Sequence, residues 1–131
     1  MSNQFHPAYF ETRFRGERVE EEILEFAIIT AYSTTGEEWS DARNETADEK
    51  LQKELGSQDC LLGRMTGYSP TTGHAEPGWA ARMEFDRACD TGLRYEQDAI
   101  YYVRGDTLNV SYCDERRELP SAVGSRFRRL N

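Results

Sequence analysis

The run Phe26-Ala-Ile-Ile-Thr-Ala-Tyr32 constrains this chain more than any other stretch, because it is uncharged throughout and mostly β-branched or aromatic. It shows no alternation of polar and apolar positions, so it reads as a strand covered on both faces. Such a strand needs a layer above it and a layer below it. The run is too short to cross a bilayer, and the opening residues "MSNQFHPAYF" lack the basic and apolar regions of a signal peptide, so a cytoplasmic location without a membrane partner is expected. With 131 residues, 37% hydrophobic and 31% charged, the chain is expected to form one domain over 1–131, with a flexible N-terminus at 1–7.

The remaining elements follow from capping and periodicity. "STTGEEW", from Ser33 to Trp39, reads as a loop, and Ser40 then caps a helix to about Leu55, with Gly56 as its left-handed terminus. Ala47, Leu51 and Leu55 form the buried stripe, and Asn44 falls on it. An inward amide needs partners, and a bond to a neighbouring loop backbone is the structural expectation. "CLLGRMT" (60–66) and "WAARMEF" (79–85) read as strands around a turn-rich loop. Asp86 is expected to cap a second helix, striped by Ala88, Gly92 and Tyr95, with the glycine marking close packing. "AIYYV" (99–103) and the alternating Leu108, Val110 and Tyr112 are strands joined by a tight turn at 104–106. "ETRFRGERV" adds an edge strand, and Val123, Phe127 and Leu130 suggest a short C-terminal helix within a basic tail at 115–131. The predicted fold class is α+β, a mixed sheet of about five strands in the order β-α-β-β-α-β-β, with two helices on one face.

Topology then gathers polar residues. The first strand ends at Tyr32, and a crossover helix makes the second strand parallel to it, so both end at one edge of the sheet. The loop after the second strand carries His74 and Glu76, while Gln97 precedes the fourth strand on the same side. Thr30, Tyr32, Asn44, His74, Glu76 and Gln97 are therefore expected at one rim, where ligand sites of layered proteins commonly lie. Within "HAEPGWA" (74–80), Glu76 has two readings. In the first it is structural, accepting backbone N–H groups of its loop or of the first helix, with Trp79 in the core. In the second it is an acid/base or ligand-binding carboxylate, with Asn44 and Gln97 reading a small polar ligand.

Charge and chemistry narrow the classes. A net charge of −8 makes nucleic acid an improbable partner, since phosphate neutralisation needs a basic surface. The segment Gly36 to Glu54 holds seven acidic and three basic residues, and Glu115 to Asn131 holds five arginines against two glutamates. Both read first as solvated faces; the sharper expectation is that the basic tail docks on an acidic partner or on the chain's own acidic helix. Cys60, Cys89 and Cys113 are odd in number, widely spaced and without CxxC, so they are expected as small buried groups, with no metal site and no cofactor implied.

"FAIITAY", Asn44 with Leu51, "HAEPGWA", the Ala88/Gly92/Tyr95 helix leading into "QDAIYYV", and "LNVSYC" together resemble the uncharacterised bacterial family called domain of unknown function 3293, from about Tyr9 to Arg129. The family pattern follows the first strand with an Asn-Pro pair where this chain has Ser33-Thr34, which removes a side-chain amide at position 33. The resemblance implies a fold and a bacterial origin, not a reaction, and its shared polar positions are Asn44, Glu76 and Gln97. Two functions stay open. One is a small non-enzymatic binding or regulatory domain acting through a protein partner. The other is a binding protein or enzyme for a small polar or nucleotide-like molecule at the rim.

Overall fold

The computed structural model describes residues 5, 7–33 and 38–130. Most of the loop expected at 33–39 and of the N-terminal segment 1–7 lies outside the described residues. The elements are α1 (Ala8–Glu11), β1 (Arg13–Gly16), β2 (Glu25–Thr30), α2 (Asp41–Ser57), β3 (Leu61–Tyr68), β4 (Ala75–Glu76), β5 (Gly78–Ala81), α3 (Phe85–Arg94), β6 (Ala99–Arg104), β7 (Thr107–Tyr112), β8 (Ala122–Ser125) and α4 (Arg126–Arg129).

The class is α+β, but the sheet differs from the expected one. Among the described residues it has eight strands, in the order β1-β3-β5-β2-β6-β7-β8 with β4 paired to β3, and every neighbouring pair of them is antiparallel. The count rises from about five because the edge strand expected within "ETRFRGERV" is present as β1, and two further short segments, β4 and β8, pair with longer strands and carry little periodicity of their own. The mixed sheet gives way to an antiparallel one because β5 inserts between β2 and β3. Those two strands still run the same way, each antiparallel to β5, so both deliver their ends to one rim.

The central strand explains the layering. Ala27, Ile29 and Ala31 of the β2 segment face a core with Leu51 and Leu55 of α2 and Ala88 and Cys89 of α3. Phe26 and Ile28 face the opposite core with Phe14, Met65, Val103 and Leu108. The sheet curls around this second core, and an isolated parallel bridge joins Phe14 of the edge strand β1 to Leu130, just past α4.

The helices show how capping and packing set their limits. Ser40 caps α2, its hydroxyl accepting from the Arg43 N–H at 3.1 Å. The helix runs two residues past the expected end, Gly56 stays helical, and the left-handed residue is Asp59 at φ 56°. Its buried positions are Asn44, Asp48, Leu51 and Leu55. In α3 the cap is Glu84 rather than Asp86, which lies in the first turn. Gly92 packs as expected: a Cβ there would lie 2.6 Å from Cys113 Sγ and 2.9 Å from Ile100 Cγ2, inside any real contact. The three cysteines are free and buried.

Among the described residues the tail folds back on the N-terminal segment, the β6–β7 turn and α3. Val123 lies on β8, and only one helical turn, α4, follows, so Phe127 faces outward at 53% exposure. Arg129 donates to the carbonyls of Phe10 and Thr12, and Arg126 to those of Glu20, Ile23 and Gly105. Arg117 pairs with Asp86 and Asp90 of α3.

Candidate functional site

The rim is built from the sequence Glu76-Pro77-Gly78 outward. Pro77 has no N–H to give a ladder, and it separates β4 from β5 into two pieces of one bent strand against β3. Gly78 then sits opposite Thr30, where a Cβ would come within 3.0 Å of the Ile29 and Met65 carbonyl oxygens and of Thr30 Cγ2. That close approach favours glycine, and two residues earlier Glu76 lies beside the end of β2.

Three oxygens meet there. The Thr30 hydroxyl lies 2.8 Å from Glu76 Oε1 and 2.9 Å from Gln97 Oε1. Gln97 cannot turn its amide to help, because Nε2 already donates to the carbonyls of Tyr32 at 2.7 Å and Tyr95 at 3.0 Å. A hydroxyl has one proton to donate. Both contacts are hydrogen bonds only when Glu76 is protonated and donates to Thr30 while Thr30 donates to Gln97. Burial pushes the Glu76 carboxyl above its ordinary range, against the opposing influence of Thr30 and of His74. This corrects the expectation that Glu76 accepts backbone N–H groups: its partners among the described residues are Thr30 and, at 3.9 Å, the exposed imidazole of His74.

The backbone bond belongs to Asn44 instead. Its Oδ1 accepts the Ser33 N–H at 2.9 Å, and the residue is buried. The Ser33 N–H and the Tyr32 carbonyl are the two ends of one peptide unit. That unit, where the chain leaves β2, is held by Asn44 of α2 on one side and Gln97 of the α3–β6 loop on the other. Position 33 thus enters the rim through its backbone. Tyr32 contributes its carbonyl, while its phenol lies toward α2, where burial and then the Asp48 and Glu45 carboxylates raise it. Thr30, Glu76, Gln97, Tyr32 and Asn44 are linked by hydrogen bonds, and His74 stands outside the chain of bonds.

Two groups were not singled out from the sequence. Asp48 and Arg64 form a bidentate pair at 2.9 and 2.8 Å, with the guanidinium 3.7 Å from the Trp79 ring centroid and the Trp79 indole N–H donating to the Asp48 carbonyl at 3.3 Å. The signal was present: Asp48 falls one turn after Asn44 on the buried stripe, and Arg64 interrupts an apolar strand. Arg126, buried at 4% exposure, gave no signal beyond its place in a basic run.

These features define a small α+β domain whose polar rim is internally bonded. The chain belongs to the family described as Protein of unknown function (DUF3293), which matches residues 29–100 and so takes in Thr30, Tyr32, Asn44, His74, Glu76 and Gln97. No curated protein and no solved structure matches it. Among the described residues no helix is long and apolar enough to cross a membrane.

Proposed function

We propose that this protein is a small non-enzymatic binding domain, acting by holding a partner rather than by transforming a substrate. The observation that supports this most is the rim: Thr30, Glu76, Gln97 and Asn44 are bonded to one another and to the Tyr32–Ser33 peptide, instead of converging on open space. No buried side-chain N or O atom among the described residues lacks a partner. The cysteines offer no ready nucleophile, since burial pushes the Cys89 thiol up to about 11 and the Cys113 thiol to about 12.

The test compares Thr30→Val and Asn44→Ala with the parent by chemical denaturation. A rim that serves the fold loses about 1–3 kcal/mol in each variant, the usual consequence of stranding a buried polar partner. Groups retained for a ligand commonly reduce stability, so their removal leaves it unchanged or raises it. Two variants as stable as the parent would overturn the reading and return the rim to the status of a ligand site.

A further inference from the structure

Away from the rim, a cavity of about 230 Å³ opens beside α4. Val19, Met65 and Phe127 give it apolar walls, and Arg126 lines it with its side chain almost wholly buried. The guanidinium is fixed rather than mobile. Nη1 donates to Ile23 O at 2.7 Å and Gly105 O at 3.4 Å, Nη2 donates to Glu20 O at 3.3 Å, and the plane lies 5.1 Å from the Phe26 ring centroid. A guanidinium has five N–H donors; the bonds here come from Nη1 and Nη2, and the Nε–H, which is not a fully buried atom, takes no acceptor among the described residues.

The charge is the unusual part. Among the described residues no carboxylate forms an ion pair with Arg126. Buried charges are ordinarily paired, because carbonyl dipoles alone replace only part of the lost hydration. The other charged groups lining the cavity, Arg18 and Glu21, face each other at 3.8 Å and are exposed, so the cavity is left with one net positive charge in a chain of net −8.

We propose that this cavity binds a small organic carboxylate with an apolar body, the Arg126 guanidinium taking the carboxylate and Val19, Met65 and Phe127 enclosing the rest. A planar fork of N–H donors matches a carboxylate, and apolar walls around one charged group fix orientation. The proposal rests on reading the chain as a binding domain but uses none of the rim residues, so the stability of the rim variants and binding at this cavity fail independently. The carboxylate has two possible sources, a free acid or the C-terminus of a peptide with an apolar last residue.

The experiment is a titration of the full chain followed by ¹H–¹⁵N NMR, reading the Arg126 Nε–H and the amides of Val19 and Met65. Hexanoate is the probe, with 1-hexanol and sulfate as controls for apolar body and charge alone. Replacing Arg126 would also break its three bonds to carbonyls, so the variant is Phe127→Glu, which places a carboxylate at the wall from an exposed position. The expected result is saturable shifts with hexanoate, with both controls and the variant weaker by about tenfold or more. The absence of saturable shifts would overturn the proposal, and so would 1-hexanol or sulfate binding as tightly as hexanoate. A short peptide ending in leucine, as free acid and as amide, separates the sources: competition by the acid form alone assigns the site to a chain terminus, and no competition by either assigns it to a free acid.

Discussion

At the residue scale, Glu76 is the group whose protonation the geometry sets. Thr30, His74 and the half-buried Tyr101 are the polar groups around it. A carboxyl held above its ordinary range binds more protons in the folded than in the unfolded chain. Its contribution to stability is therefore complete below the unfolded carboxylate value and is lost as pH rises through the folded one. Glu76→Gln supplies a permanent donor to Thr30 in the place of the acid proton, so it should be at least as stable as the parent near neutrality and should lack this decline. Urea denaturation of both proteins from about pH 4 to pH 8 checks it. A variant destabilised across that range, or with an undiminished slope, would mean that the folded chain holds Glu76 ionised.

At the scale of elements, what fastens α2 to the sheet is a polar lock set in an apolar face. Leu51 and Leu55 supply burial, while Asp48 joins Arg64 of β3 and Trp79 of β5 in one contact. Asp48 is nearly buried, with 10% of its side chain exposed, whereas Arg64 keeps 34%. Removing one member of such a pair leaves the other charge without compensation, so Asp48→Ala should lower stability by about 3 kcal/mol, toward the lower end for breaking a buried pair. A loss under about 1 kcal/mol, typical of surface pairs, would show that the lock adds little to apolar packing.

The elements also show what periodicity can convey. A buried strand, a helix with a serine cap and a glycine pressed against a sheet each have a local cause, and "FAIITAY", Ser40 and Gly92 displayed it. The edge strand expected within "ETRFRGERV" is present as Arg13–Gly16, whereas Ala122–Ser125 has no such local cause and is extended by pairing with β7. The insertion of β5 between β2 and β3 is likewise a long-range choice. The tail's spacing resembled a helical stripe because Val123, Phe127 and Leu130 are three or four apart, yet the structure divides them between a strand, an exposed turn and a bridge.

At the scale of the whole molecule, the curled sheet has two ends with opposite character. One end is closed by hydrogen bonds among Thr30, Glu76, Gln97, Asn44 and the Tyr32–Ser33 peptide. The other carries the cavity over Arg126. The first end was legible because strand direction alone brings its residues together. The second was not, because Arg126 meets Glu20, Ile23 and Gly105 only once the sheet has curled and the tail has returned.

The rim serves the fold by holding one peptide unit from both sides, and a double-mutant cycle of Asn44→Ala and Gln97→Leu measures that hold. Because the two amides share the Tyr32–Ser33 peptide, their contributions should be coupled by about 0.5–3 kcal/mol in chemical denaturation, with each single change destabilising. Additivity within about 0.5 kcal/mol, or single variants as stable as the parent, would contradict the account.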